Sequence, residues 1–257
     1  MKRLEATNAK YAEALAFLGK VYDQQKTQSA AEEAREPADD AVFAVDIAAD
    51  LAAGQVDGPA TAAVTIIKAF DFACPYCHQV APILDELVKQ YAGKVRVIYK
   101  NMVVHPAVAT PAHLASCAAA KQGKYLAFKT AVWEQGFVPY SSERDPSKLA
   151  EPAILAIAGA VGLDLARVKT DMASAECKAR IAADMKDLES FHVDATPTFF
   201  INGTEVSGAL PKEGFEAIID AKLALVAKSG IPSGDYYSRV VMQGERKFRG
   251  KADPKPR

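Results

Sequence analysis

Cys74 and Cys77 stand two residues apart in Asp71-Phe72-Ala73-Cys74-Pro75-Tyr76-Cys77-His78, a spacing at which two thiols can form and break a disulfide. The elements around them decide what that pair can do. Residues 63–70 are apolar and β-branched, follow Gly58-Pro59, and predict a buried strand. After the cysteines, Val80, Ile83, Leu84, Leu87, Val88 and Tyr91 fall at helical spacing, and Gly93 closes the element. The pair therefore opens a helix. Unpaired N–H groups and the positive end of the helix dipole favour thiolate over thiol there, so Cys74 reads as the low-pKa nucleophile. Cys77, one turn in, reads as its resolving partner, and Pro75 falls where a missing N–H costs nothing.

Other chemistries fit the same residues. Cys74 to His78 also spells the attachment string of a c-type haem, which would further need a distal ligand and a large apolar pocket. Zinc would need a second ligand pair, and Cys117 and Cys177 stand in no paired motif. An inert disulfide is the remaining reading, although a helix start is a reducible place for one. A cysteine-based metal or haem carrier is thus the alternative of a different class.

A second stretch bears on the choice. Residues 193–206 read as a strand, a turn at Asn202-Gly203 and a second strand, with Pro197 at a strand start where a cis bond is permitted. Together the two stretches resemble the thioredoxin superfamily, in which a cis-proline loop faces the Cys-x-x-Cys and helps to hold the substrate chain. Cys74 and Pro197 lie about 120 positions apart, with alanine-rich helical sequence between them, and in this the chain resembles DsbA-like proteins over residues 42–228. The resemblance implies an α/β thioredoxin fold with an inserted all-helical domain, here with an N-terminal helical extension. The expected parts are the extension (1–40), a discontinuous thioredoxin-fold domain (41–104 and 192–228), the helical insertion (105–191) and a basic tail (229–257).

It further implies a thiol:disulfide oxidoreductase that acts on cysteine-containing exported proteins without a cofactor or bound metal. Oxidase is favoured over isomerase or reductase, and a membrane or soluble redox partner would recycle the cysteines. Thr196 and Pro197 would line the substrate groove. Pro75-Tyr76 departs from the Pro-His of strongly oxidising members, and a neutral tyrosine helps a thiolate less than an imidazole. The expected potential is therefore intermediate, about −150 to −230 mV. Thr196 is expected either to donate its hydroxyl to the Cys74 sulfur, in which it resembles the isomerase-like members, or to serve only as a β-branched residue at a strand start. Lys68 stands where many relatives carry a buried acid; beneath Cys77 its charge would favour a thiolate, and otherwise it snorkels to solvent. His78 is expected at the surface, and His105 either at the groove or in a plain loop. Cys117 reads as a buried inert thiol and Cys177 as exposed, with a bridge between them as the alternative.

The totals agree with a globular chain of 257 residues and net charge −1, which gives no reason to expect nucleic acid as partner. No run of eighteen apolar residues exists. Met1-Lys2-Arg3 resembles the start of a signal sequence, but Glu5, Asn8 and Lys10 interrupt it. The resemblance then favours an exported, periplasmic protein whose targeting segment is absent from this sequence. Leu4, Asn8, Tyr11, Leu15, Leu18 and Tyr22 alternate at spacings of four and three, so residues 4–35 either self-associate or pack on the body of the protein. Residues 42–47 and 94–100 read as further strands. Residues 236–241 are expected to pack, and the last eight to be disordered.

Overall fold

A computed structural model describes residues 2–254, the side chains of residues 2–10, 13 and 32 excepted. It divides into two compact units. One holds α1 (Lys2–Glu33) and the segments beside it in sequence and pairing: Pro37 bridges Gly250, Ala38 N donates to Arg249 O at 3.0 Å, and Lys251 pairs with Glu36. Residues 250–254, expected to be disordered, are thus partly tied down by backbone bonds. Tyr11, Leu15, Phe17, Leu18, Val21 and Tyr22 of α1 are all exposed; Leu4 and Asn8 of the predicted stripe lie outside the described side chains.

The other unit, Val42–Phe248, carries a five-stranded sheet between helices. After α2 (Ala48–Ala52) come β1 (Val56–Asp57) and β2 (Val64–Phe70), then α3 (Pro75–Gln90) and β3 (Val95–Asn101). An insertion follows: α4 (Pro106–Lys121), α5 (Tyr125–Ala131), a π-helical turn (Val132–Phe137), α6 (Val138–Glu143), α7 (Glu151–Ala160), α8 (Leu165–Ala173) and α9 (Ala175–Glu189). The chain returns as the hairpin β4 (Thr198–Ile201) and β5 (Thr204–Ser207), then α10 (Lys212–Ser229) and α11 (Ser233–Arg239). The sheet order is β1-β3-β2-β4-β5; β2 and β3 are parallel, the other neighbours antiparallel. β2 is central and buried at all seven residues, Thr65 and Lys68 among them, as a mostly apolar strand is in a sheet covered on both faces.

Three expectations need correction. Residues 42–47 form no strand; Phe43 makes an isolated bridge to Glu245, and its ring packs against Phe191, Phe200 and Phe248, so their apolar run reflects burial rather than pairing. The first strand is instead the short β1. Residues 233–248 belong to this unit and not to a separate tail; the packing expected of residues 236–241 is seen, with Tyr237 and Val241 buried and the Tyr237 hydroxyl donating to Val45 O at 2.7 Å. Cys117 and Cys177 are joined, their Cα atoms 5.7 Å apart, so Cys177 is buried rather than exposed. The bridge ties α4 to α9 across 60 positions, a proximity created by helix packing that sequence distance does not reveal.

The β4–β5 turn is fixed from two sides. Asn202 and Gly203 both have positive φ, the geometry of a tight hairpin turn, and a Cβ on Gly203 would lie 2.6 Å from the Val42 side chain. The Asn202 amide clamps β2, accepting from Thr65 N at 2.8 Å and donating to Ala63 O at 3.0 Å.

Candidate active site

Cys74 is the N-cap of α3, with extended backbone angles, and its sulfur accepts from Cys77 N at 3.4 Å. Pro75 is in the first turn, as its locked φ and absent N–H allow. Across from them the Thr196–Pro197 peptide is cis, and the Cys74 thiol donates to Thr196 O at 3.2 Å. The Cys74 pKa is lowered to about 6: the hydrogen bond from the Cys77 thiol is the largest cause, with the Thr196 side chain and the N–H groups of Cys77 and Tyr76 adding to it against burial. The Thr196 carbonyl favours the thiol and these donors favour the thiolate; the donors prevail. Cys77 is fully buried, and burial together with its bond to Cys74 pushes its thiol well above the ordinary range. One sulfur is thus prepared to attack and the other held as a thiol. Tyr76 is 60% exposed beside them.

The loop is held by residues that lie further off in sequence. Asp71, fully buried, accepts from Ala73 N at 2.6 Å through one oxygen and from Val104 N and His105 N at 2.8 and 2.9 Å through the other. It thereby ties the cysteine turn to the start of α4. His113, buried on α4, accepts from Phe72 N at 3.4 Å, so its other nitrogen carries the proton and donates to Asn101 Oδ1 at 2.8 Å. Asn101 in turn donates to Asp184 at 2.6 Å. Burial lowers the His113 pKa to about 4, which keeps the ring neutral in this chain of bonds. Phe70, Phe72 and Trp133 pack their rings alongside. Sequence reasoning passed over Asp71 and His113. An acid at the end of an apolar strand, two residues before a backbone N–H it can cap, was the available signal for Asp71; His113 had none.

The remaining candidates are placed as follows. Lys68 does not reach solvent: it is 1% exposed and its Nζ donates to Cys77 O at 2.9 Å. His78 is not on the surface but half-buried, 4.8 Å from the Phe137 ring and 5.8 Å from Trp133, and burial lowers its pKa. His105 stands 3.3 Å from Asp71 and, with Ala73, Pro75, Phe137 and Tyr140, lines a pocket of about 360 Å³ beside Cys74. Among the described residues no three His, Cys, Asp or Glu side chains converge as a metal site.

A central parallel strand pair, a helix capped by the first of two cysteines and a cis-proline loop opposite define a thioredoxin-like fold of the DsbA type. The family model described as Thioredoxin matches residues 50–221, and the chain belongs to that family. Among solved structures, a thioredoxin-like oxidoreductase from Silicibacter pomeroyi DSS-3 is 28% identical, with a TM-score of 0.58 over 68% of this chain and 92% of its own. The α-DsbA1 protein of Wolbachia pipientis shares the fold at 18% identity, with a TM-score of 0.58 over 68% of this chain and 92% of its own. In sequence, a Na(+)/H(+) antiporter NhaA 3 from Salinispora tropica is 33% identical over 174 residues, 66% of this chain and 24% of the antiporter. The chain spans about a quarter of the length of the curated relatives it matches. Among the described residues no helix is long and apolar enough to cross a membrane.

Proposed function

We propose that the protein exchanges disulfides with cysteine-containing exported proteins through the Cys74–Cys77 pair. The observation that carries this reading is the contrast between the two sulfurs: a stabilised thiolate at the helix N-cap, opposite a cis-proline loop, and a buried thiol one turn in. In the oxidising direction a substrate thiolate attacks Cys74 of the disulfide, Cys77 leaves, and a second substrate thiolate displaces Cys74. Thr196 and Pro197 line the substrate side, Pro75 and Tyr76 set how far the thiolate is stabilised, and a separate redox partner reoxidises the pair. The protein acts outside the cytoplasm, where such disulfides persist.

A second reading, an oligomeric isomerase or reductase, is favoured by the exposed apolar residues of α1, which suit self-association. Equilibration with a glutathione redox series, combined with mass in solution, tests both. A monomer with a potential near about −120 mV is a dedicated oxidant; an oligomer near about −200 mV is an isomerase or reductase. Absence of any exchange, or a Soret band or stoichiometric metal in the purified protein, would remove both readings.

A further inference from the structure

We propose that the pocket beside Cys74 receives an acidic side chain of the substrate, one or two positions from the substrate's reacting cysteine; this rests on the exchange chemistry proposed above and names the substrate class that the site favours.

Ala73 and Pro75, the chain neighbours of Cys74, both line this pocket of about 360 Å³, whereas Thr196 and Pro197 do not. A substrate chain can thus be held twice, at the cis-proline loop and in the pocket. An extended chain advances about 3.3–3.6 Å per residue, so a side chain one or two positions from a cysteine bonded to Cys74 reaches the pocket.

The far wall comes from the helical insertion. The π-helical turn is pressed against Leu149, where a Cβ on Gly136 would lie 2.9 Å from the leucine side chain, and it ends at Phe137, whose ring is 6.0 Å from that of Tyr140. α6 then stops at Arg144, whose φ of 55° is left-handed, a conformation that costs an arginine what it would not cost a glycine. Both Tyr140 and Arg144 line the pocket.

Arg144 carries a permanent positive charge, and among the described residues no carboxylate pairs with it. The acids next to it in sequence are engaged elsewhere: Glu143 pairs with Lys148 at 3.0 Å, and Asp145 Oδ1 accepts from Ser147 N at 2.9 Å. Neither lines the pocket, and no other Asp or Glu does. The buried Asp71 stands 3.3 Å from His105 Nδ1 and is taken up by that ring and by the N–H groups of Ala73, Val104 and His105. The Tyr140 hydroxyl makes no hydrogen bond among the described residues. Pro75, Phe137 and Pro146 therefore offer an apolar wall to the stem of a side chain, while Arg144 and Tyr140 offer a cation and a hydroxyl to its end. A carboxylate can bind both donors. A lysine would meet the Arg144 charge with no acid to offset it.

The test uses the full reduced chain and three short peptides, each with one cysteine flanked on both sides by glutamate, glutamine or lysine and activated as a mixed disulfide with thionitrobenzoate. The Cys74 thiolate attacks the peptide sulfur, the bond to thionitrobenzoate breaks, and the latter leaves as a coloured thiolate whose release gives the rate. The same peptides attacked by β-mercaptoethanol give the intrinsic reactivities by which these rates are divided. The glutamate peptide is expected to react about threefold faster than the glutamine peptide, the worth of a partly exposed ion pair, and the lysine peptide more slowly than either. That advantage should shrink in about 1 M salt. Arg144→Gln should bring the glutamate and glutamine peptides to equal corrected rates, and Arg144→Lys should keep part of the difference. Equal corrected rates in wild type, or an advantage that survives Arg144→Gln, would overturn the proposal. Should that variant not fold, the wild-type series and its salt dependence decide. Release from none of the peptides would remove the exchange reading itself, whereas release from all three at equal corrected rates removes this proposal alone.

Discussion

At the scale of the residue, the Cys74 thiolate has consequences for pH that can be signed. Its folded pKa, about 6, is below the ordinary 9.0, so it stabilises the reduced fold fully above pH 9 and progressively less as pH falls through 6. The raised Cys77 pKa opposes this only above 9, where the unfolded thiol ionises. Between pH 6 and 9 the reduced protein should therefore gain stability relative to the oxidised one, which paired urea titrations at several pH values will measure. The same ionisation fixes the pH dependence of the potential. Below about 6 two protons accompany two electrons, and above it one does, so the slope should ease from about 59 to about 30 mV per pH unit. A single slope across that range would mean that Cys74 is not ionised where its donors place it. Asp71 gives a second residue-scale expectation. Asp71→Ala leaves the N–H groups of Ala73, Val104 and His105 without their acceptor, at about 1–3 kcal/mol for each that stays buried and unpaired. Ala73 is buried, whereas Val104 is half-buried and His105 exposed, so denaturation should show a loss of at least about 1 kcal/mol, and a smaller loss would mean that water replaces the carboxylate.

At the scale of the element, the Cys117–Cys177 bridge closes a long loop through the helical insertion. On the chain-entropy account a loop of 60 residues corresponds to about 4 kcal/mol, and replacing both cysteines with alanine should lower stability by about 2–4 kcal/mol while leaving Cys74 alkylation unchanged. A variant as stable as the parent would show that helix packing alone holds α4 against α9. What the sequence disclosed follows the reach of each signal. β2 and α3 were legible because a buried run and a 3.6-residue period are local, and Asn202-Gly203 announced its hairpin in two letters. The disulfide was not, since it depends on how helices far apart in the chain pack. The supposed strand at residues 42–47 misled because a stretch buried by loops and aromatic rings has the same composition as one buried in a sheet. Lys68 was visible as an oddity, but whether its amine pointed to solvent or to Cys77 depended on Trp133 and Lys129 from a helical region some sixty positions on.

At the scale of the whole molecule, α1 is not part of the thioredoxin-like unit, which has a core of its own. Large apolar side chains left in water on one helix are costly, and Tyr11, Leu15, Leu18 and Tyr22 recur at the alternating four- and three-residue steps that a helix partner would bury. A second copy of α1 offers the same stripe, so self-association would bring two or more Cys74 sites to one substrate. An isomerase gains from this more than an oxidase, because it must hold a misfolded chain through several rounds of exchange while an oxidase needs only one encounter. Leu15→Glu with Leu18→Glu should then yield a monomer by light scattering, with the Cys74 alkylation profile intact and recovery of a scrambled multi-disulfide substrate reduced several-fold. If mass and recovery are both unchanged, the stripe serves another purpose and the oxidase reading stands without it. If mass falls but recovery holds, association and isomerisation are separate properties, and the intermediate thiolate of Cys74 is enough for the shuffling on its own.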